Sequence, residues 1–246
     1  MKVREKGRSS LRILITAGPT REPIDAVRFL SNYSSGYLGA QLAKAALARG
    51  HRVRVIRGPC VEAFPRQARV IPVEQAVEME QILQREARSS DVVIMAAAVS
   101  DFRATRPLAA KLPHRFARTL RLTPTPDLLA RLPSRHRQLR VGFALESGKV
   151  IAQAKRKLRS KRLHLLLAQQ VLRRVHAARS RAIPARSNGA LPSPFGRQKV
   201  RAWLLSQEAP VRDLGWISKP QVACLLLDKI ESLWYGQLSS SVNRNS

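Results

Sequence analysis

The sequence predicts an α/β domain of Rossmann-like, three-layer architecture, with a mostly parallel sheet and an irregular arm. Short apolar runs alternate with amphipathic stretches in the order βαβαβ over residues 11–101. The run at 90–101 is almost unbroken in its apolar character, which suits a strand covered on both faces. A chain of 246 residues with 44% apolar content is also long enough for one sizeable core.

Taken in order, LRILITA (11–17) is a short apolar run that stops at Gly-Pro, as a buried strand meeting a loop does. LGAQLAKAALARG (38–50) repeats Leu and Ala at helical spacing and ends on Gly50, a helix stop. HRVRVIRG is a second strand, 74–88 a helix, and SDVVIMAAAVSD (90–101) a third strand. Farther along, 117–123 reads as an edge strand, 125–132 as a short helix and 139–146 as a central strand. A basic helix (149–162) and a strand (163–168) follow. Residues 170–198 lose periodicity and read as a flap or arm, before a strand at 199–205 and a helix at 220–236. Residues 1–10 are then an extension, 11–235 the domain, and 236–246 a flexible tail.

Composition narrows the function classes. No run of about 18 apolar residues is present to cross a bilayer, and the polar N-terminus lacks a signal-peptide core, so a cytoplasmic chain is expected. Cys60 and Cys224 form neither a disulfide framework nor a metal-ligand spacing, and the five histidines are scattered. The net charge of +29 admits two readings: compositional drift toward arginine, or a surface that binds polyanions such as nucleic acid. The basic residues are strewn along the chain and aromatic residues, the usual companions of single-strand binding, are scarce at 5%.

The chemistry concentrates in GPTREPIDAVRFLSNYSSGYLG (18–39), between the first strand and its helix. This loop is far longer than the tight turn of a dinucleotide-binding glycine fingerprint, which weakens the reading of a dinucleotide-dependent reductase. Ser34, Ser35 and Gly36 immediately precede the helix, where hydroxyls and free backbone N–H groups converge on an anion. A plain helix cap is the other reading. Arg28 and Asn32, polar residues in an otherwise apolar VRFLSN stretch, favour a binding loop, although Arg28 could instead pair with Asp25.

ITAGPTREPIDAVRFLSNYSSGYLG closely resembles the signature of phosphopantothenate-cysteine ligase, the second half of the bifunctional bacterial coenzyme A biosynthesis flavoprotein. AAAVSDF (96–102), TPDLL (125–129), GFALE (142–146) and KLRSKRLHLLLAQ (157–169) resemble further segments of that family in the same order, so the likeness spans about 11–235.

The resemblance implies a ligase that activates 4'-phosphopantothenate as an acyl-nucleotidylate, with CTP in most bacteria and ATP as the other candidate, before cysteine displaces the nucleotide. By this likeness Asn32 sits at the reacting carboxyl, Arg28 supports the loop or the substrate, and Ser34, Ser35 and Gly36 contact phosphate. Ala98, Asp101 and Phe143 match positions on the nucleotide side, although a Phe within VGFAL also suits a core. Lys111 matches the lysine that accompanies acyl-nucleotidylate formation. Lys157 and Lys161, four apart, share a helix face and match residues directed at the triphosphate. Mg2+ is implied as the phosphate counterion, with no ligand set identified. A homodimer is implied too; with no flavin-binding decarboxylase half read upstream of the domain, the chain reads as either a stand-alone ligase or a separated fragment, and a separate flavin-dependent decarboxylase is one candidate partner.

The sequence also departs from the family. Tyr37 replaces a frequent lysine, KLPH (111–114) keeps only the first lysine of KIKK, and His164 and Gln169 replace an Asp and an Asn. Two alternatives therefore stay open beside the ligase. Salt-sensitive nucleic-acid binding without turnover would mark a nucleic-acid-binding protein, and NAD(P)H binding a reductase.

Overall fold

The computed structural model describes residues 9–114, 119–133, 135, 137–171 and 195–242. Its elements are β1 (Arg12–Ala17), β2 (Arg21–Pro23), β3 (Phe29–Ser31), α1 (Tyr37–Ala48), β4 (Arg52–Arg57), β5 (Arg69–Pro72), α2 (Ala76–Ala87) and β6 (Val92–Met95), followed by β7 (Phe102–Ala104), β8 (Leu122–Pro124), β9 (Leu139–Glu146), α3 (Val150–Ser160), β10 (Leu165–Gln170), β11 (Val200–Ser206), β12 (Arg212–Ile217) and α4 (Lys219–Val242).

After Arg12 every residue of β1 is buried, because the strand lies at the centre of the sheet with helices on both faces. The eight strands run β12-β11-β10-β9-β6-β1-β4-β5. The six from β5 to β10 are parallel; β11 and β12 add an antiparallel hairpin at one edge. Strand order therefore reverses between β1 and β6. In an open parallel sheet the chains leave such a point in opposite directions and open a crevice beyond the carboxyl ends of the strands.

Alternation along β1 separates the two cores. Ile13, Ile15 and Ala17 face α1 and α4, joining Leu42, Ala46, Val222 and Leu226. Leu14 faces α2, against Met79, Leu83 and Val93. Beneath β9 and β10, α3 buries Val150, Ala154 and Leu158 on one side of a strongly basic helix. α1 and α4 lie against each other, where Arg49 donates to Asp228 (2.8 Å) and His51 meets Glu231 (2.9 Å). Two successive antiparallel pairings return β12 to the direction of β10, so α4, like α1, begins at the carboxyl end of the parallel strands.

Several boundaries differ from those read in the sequence. The apolar run at 90–101 is paired in the sheet only to Met95, and Ala96–Ser100 turn over the end of β1 instead. The expected edge strand at 117–123 is β8, which pairs with β7 in a separate two-stranded arm. The segment at 125–132 makes turns rather than a helix, with Asp127 accepting the Ala130 N–H (3.0 Å). The last parallel strand is shifted two residues, to Leu165–Gln170, and α4 continues to Val242, beyond the 236 at which a tail was expected. Strands β2, β3, β5, β7 and β12 are additional, and most of the arm at 170–198 lies outside the described residues. Opposite Ala202 and Trp203 the β11/β12 ladder slips, with Gly215 at φ 63 on the β12 side. Among the described residues no helix is long and apolar enough to cross a membrane.

Candidate functional site at the strand reversal

The connections after β1 and β6 are laced together where the strand order reverses. The Ala98 N–H donates to Gly18 (2.9 Å), the Thr20 N–H to Ala98 (3.2 Å), and the Ser100 N–H to the Thr20 hydroxyl (3.0 Å). Asn32 completes the lacing, its Nδ2 donating to the Ala98 carbonyl (2.9 Å). Asn32 also lines a cleft of about 720 Å3 that this lacing borders.

The floor of the cleft is the beginning of α1. Gly36 takes φ 80, a left-handed turn that Cβ-bearing residues rarely adopt, and its Cα lies against Cys60: a Cβ there would stand 2.6 Å from Cys60 Sγ. Gly39 sits directly on Ala17, whose Cβ a side chain at this position would strike. This close approach lowers the first turn of α1 onto the end of β1. Ser34, Ser35 and Gly36 line the cleft there, with Ser35 Oγ accepting the Tyr37 N–H (3.3 Å).

Ala98, Asp101, Phe143, Lys157 and Lys161 line it as well. Lys157 donates to the Phe143 carbonyl (2.8 Å); burial lowers its pKa, against the pull of Glu146 and Asp101. Lys161 is ion-paired with Asp127. The i, i+4 spacing thus delivers both ammonium groups to one side of the cleft. Phe143 is half-buried, its ring partly packed into the core beneath α1 and α4 and partly available to the cleft.

Arg28 and Lys111 do not reach the cleft. Arg28 donates through Nε to the buried carboxylate of Asp25 (2.9 Å), forms an ion pair with it through Nη2, and reaches the Leu112 carbonyl (3.1 Å). Asp25 also accepts the Leu112 N–H (3.0 Å), and these donors, the Arg28 side chain foremost, hold its pKa well below the usual carboxylate range. Arg28 therefore ties the loop at 24–28 to the segment carrying Lys111, whose side chain is exposed on a neighbouring face.

Several lining residues were not picked as ligands in the sequence, Lys219 among them. Lys219, the first residue of α4, lies in the cleft wall with Gln169 and Phe195. Lys219 donates to the Gly196 carbonyl (2.6 Å), and burial pushes its pKa down to about 8. The signal available for Lys219 was a lysine at the start of a helix, where the macrodipole disfavours a cation unless something negative comes close. Tyr37, at the position of a frequent family lysine, stacks under the Arg197 guanidinium (5.2 Å).

Chemically, the cleft offers a helix N-terminus, two serines and three lysines beside the carboxylates of Asp101, Asp127 and Glu146, a set of cationic and N–H donors that suits phosphate-bearing ligands. Among the described residues no group of three His, Cys, Asp or Glu could hold a metal ion. Asp101 and Glu146, the cleft carboxylates without an ion pair among the described residues, fit Mg2+ in the manner of a cation carried mainly by a ligand's phosphates.

Fold and cleft define a Rossmann-like α/β domain with a crevice at its strand reversal. The chain belongs to the DNA/pantothenate metabolism flavoprotein C-terminal domain family, whose model matches residues 8–233. It is 35% identical over 224 residues to the coenzyme A biosynthesis bifunctional protein CoaBC of Bacillus subtilis (strain 168), covering 90% of this chain and 51% of that protein. It is 40% identical over 170 residues to a cysteine/cysteine sulfinic acid decarboxylase of an unknown prokaryotic organism, covering 68% and 47%. The chain thus spans about half the length of the curated relatives it matches. Among solved structures, the C-terminal domain of a CoaBC superposes with a TM-score of 0.73 at 30% identity, covering 92% of this chain and 96% of that one. A Cab2 mutant in complex with phosphopantothenate-cysteine shares the fold, with a TM-score of 0.67 at 18% identity and coverage of 92% and 88%.

Proposed function

We propose that this chain is a phosphopantothenate-cysteine ligase that acts in coenzyme A biosynthesis, uses CTP as the activating nucleotide and works in the cytoplasm. The observation that carries the proposal is the junction of Asn32 with Ala98. It sets a side-chain amide in the lining of a cleft whose floor is the serine-flanked start of α1 and whose wall carries Lys157 and Lys161. The family membership and the solved CoaBC C-terminal domain support the same reading.

In this proposal the carboxylate of 4'-phosphopantothenate attacks the α-phosphorus of CTP, and pyrophosphate leaves. The cysteine amine then attacks the activated acyl carbon, loses a proton, and displaces CMP. A free carboxylate is a poor electrophile, so the first step exchanges its oxygen for a phosphate leaving group. The protein supplies orientation and charge neutralisation. Asn32, its Nδ2 shared with the Ala98 carbonyl, sits at the reacting carboxyl and holds the acyl phosphate for cysteine attack; Ser34, Ser35 and the first N–H groups of α1 hold phosphate oxygens; Lys157 and Lys161 neutralise the triphosphate. Ala98, Asp101 and Phe143 hold the nucleoside. Mg2+, when bound, screens phosphate charge beside Asp101 and Glu146.

We assign Lys111 and Arg28 to a homodimer. The arms formed by β2/β3 and β7/β8 leave Val27, Phe29, Phe102, Leu108 and Leu122 exposed, an apolar surface suited to a second protomer. Lys111 travels on this face, so a partner's cleft is the one it would serve, while Arg28 holds its segment in place through Asp25 and Leu112.

The test is pyrophosphate release by the purified chain with 4'-phosphopantothenate and CTP or ATP, with and without cysteine. Release that requires phosphopantothenate, is faster with CTP and falls about a hundredfold or more in Asn32→Asp is the expected result. A folded protein that releases no pyrophosphate with either nucleotide refutes the proposal.

A further inference from the structure

The proposed reaction brings two phosphate-bearing molecules into one cleft, yet Lys157 and Lys161 approach it from the α3 side alone. On the opposite side of the sheet stand groups to which neither the proposed mechanism nor the family resemblance gives a role. Gln169 shares the β10 face of Leu165 and Leu167, which pack under α1 and α4. It is only 8% exposed, and among the described residues its Nε2 has no hydrogen-bond partner although it borders the cleft. A buried donor left in that state is costly unless a ligand completes it.

Lys219 is 5% exposed and makes no ion pair among the described residues. Its ammonium is held by a neutral carbonyl and placed at the positive end of α4, a helix of 24 residues. Burial and a helix N-terminus disfavour a cation, opposed only in part by Glu62, a carboxylate that is itself ion-paired with Arg197. An anion between Lys219 and Gln169 would offset both. The start of α1 opens into the same space, because α1 and α4 pack together and both begin at the carboxyl end of the parallel strands. Two helix N-termini therefore converge there, with Ser34 and Ser35 beside them.

We propose that Lys219, Gln169 and the converging N-termini of α1 and α4 form a second phosphate subsite, on the opposite side of the cleft from Lys157 and Lys161. It takes a terminal phosphate group, either the phosphomonoester of the acid substrate or the outer phosphates of the nucleotide. Which substrate fills it rests on the ligase proposal; that it binds phosphate does not.

Titration calorimetry on the full chain tests both levels, with inorganic pyrophosphate as the first probe. CTP against CMP, and 4'-phosphopantothenate against pantothenate, then locate the source. Lys219→Met should weaken pyrophosphate about tenfold or more and Gln169→Leu by a few-fold. The loss should appear in only one of the paired comparisons: in CTP but not CMP, or in phosphopantothenate but not pantothenate. Because Lys219→Met removes a buried charge, its melting temperature should not fall. If Lys219 served only to brace Gly196, the variant would melt earlier and keep wild-type affinities, and that result overturns the proposal. An equal loss for the phosphorylated and unphosphorylated member of each pair overturns it too. Should Lys219→Met fail to fold, Gln169→Leu carries the same comparison, and wild-type phosphate affinity there is equally fatal. A wild-type chain that binds pyrophosphate through Lys219 but turns over no substrate would sink the ligase reading and leave the subsite standing.

Discussion

Replacing Gly36 by alanine tests the packing that lowers α1 onto the cleft. The residue sits at φ 80, where a Cβ-bearing residue costs ~1–2 kcal/mol. The new methyl would stand 2.6 Å from Cys60 Sγ and 3.2 Å from Cys60 Cβ, so something must shift, and overpacking of this kind costs ~1–3 kcal/mol. Together these give about 2–5 kcal/mol, or about 4–20 °C in melting temperature for a domain of this size. Urea unfolding at pH 7.5 measures it directly, and phosphate affinity should fall with it because the first turn of α1 moves. Adding Cys60→Ala should return only the steric part exerted by the sulfur, leaving the backbone part in place; a double-mutant cycle separates the two. A Gly36→Ala protein within about 0.5 kcal/mol of wild type would refute the argument. So would a Cys60→Ala change that restores nothing.

Two further outcomes are expected. His164 Nδ1 accepts the Arg140 N–H (3.1 Å), which fixes the neutral ring, and burial followed by the Arg140 charge lowers its pKa, against Glu208. A histidine whose folded pKa lies below the unfolded value of about 6.5 favours unfolding as pH drops through 6.5 toward the folded pKa. Urea midpoints should therefore fall between pH 7.5 and 5.5, and His164→Leu should flatten that slope; an unchanged slope contradicts the assignment. If Lys111 serves the partner's cleft, mixing inactive Asn32→Asp and Lys111→Gln proteins under subunit exchange should restore about a quarter of wild-type pyrophosphate release, the share of sites with both native residues. No recovery in confirmed mixed dimers places Lys111 in its own protomer's chemistry or outside it.

The long apolar and amphipathic stretches were legible as sequence because periodicity reports which faces are covered. The expected strand at 139–146 is β9 at the same bounds, and α1, α2 and α3 fall within a few residues of their expected positions. Where reading failed, the deciding contact was distant in sequence. Nothing local in AAAVSD says that Ala98 bonds Gly18 instead of continuing the sheet beyond Met95. β5 and β12 carry Arg69, Pro72, Arg212, Asp213 and Gly215, residues tolerated at the rims of a sheet but poor in strand signal. For the cleft, nine of the eleven residues singled out beforehand line it. Arg28 and Lys111 share a sequence neighbourhood with site residues but are drawn to another face by Asp25. Lys219 went unread because its importance depends on two strand reversals that return α4 to the cleft.

Those reversals also shape how copies of the chain can meet. Beyond β12 the sheet could in principle recruit another strand, and a long flat rim of unpaired N–H and C=O groups would invite it. The slipped register at Ala202 and Trp203 and the left-handed Gly215 twist that rim out of plane, while Arg212 and Asp213 stud it with opposite charges. A strand approaching from solution finds no straight ladder there, although Trp216 stands exposed on it. Growth by strand addition at the β12 edge is thereby discouraged.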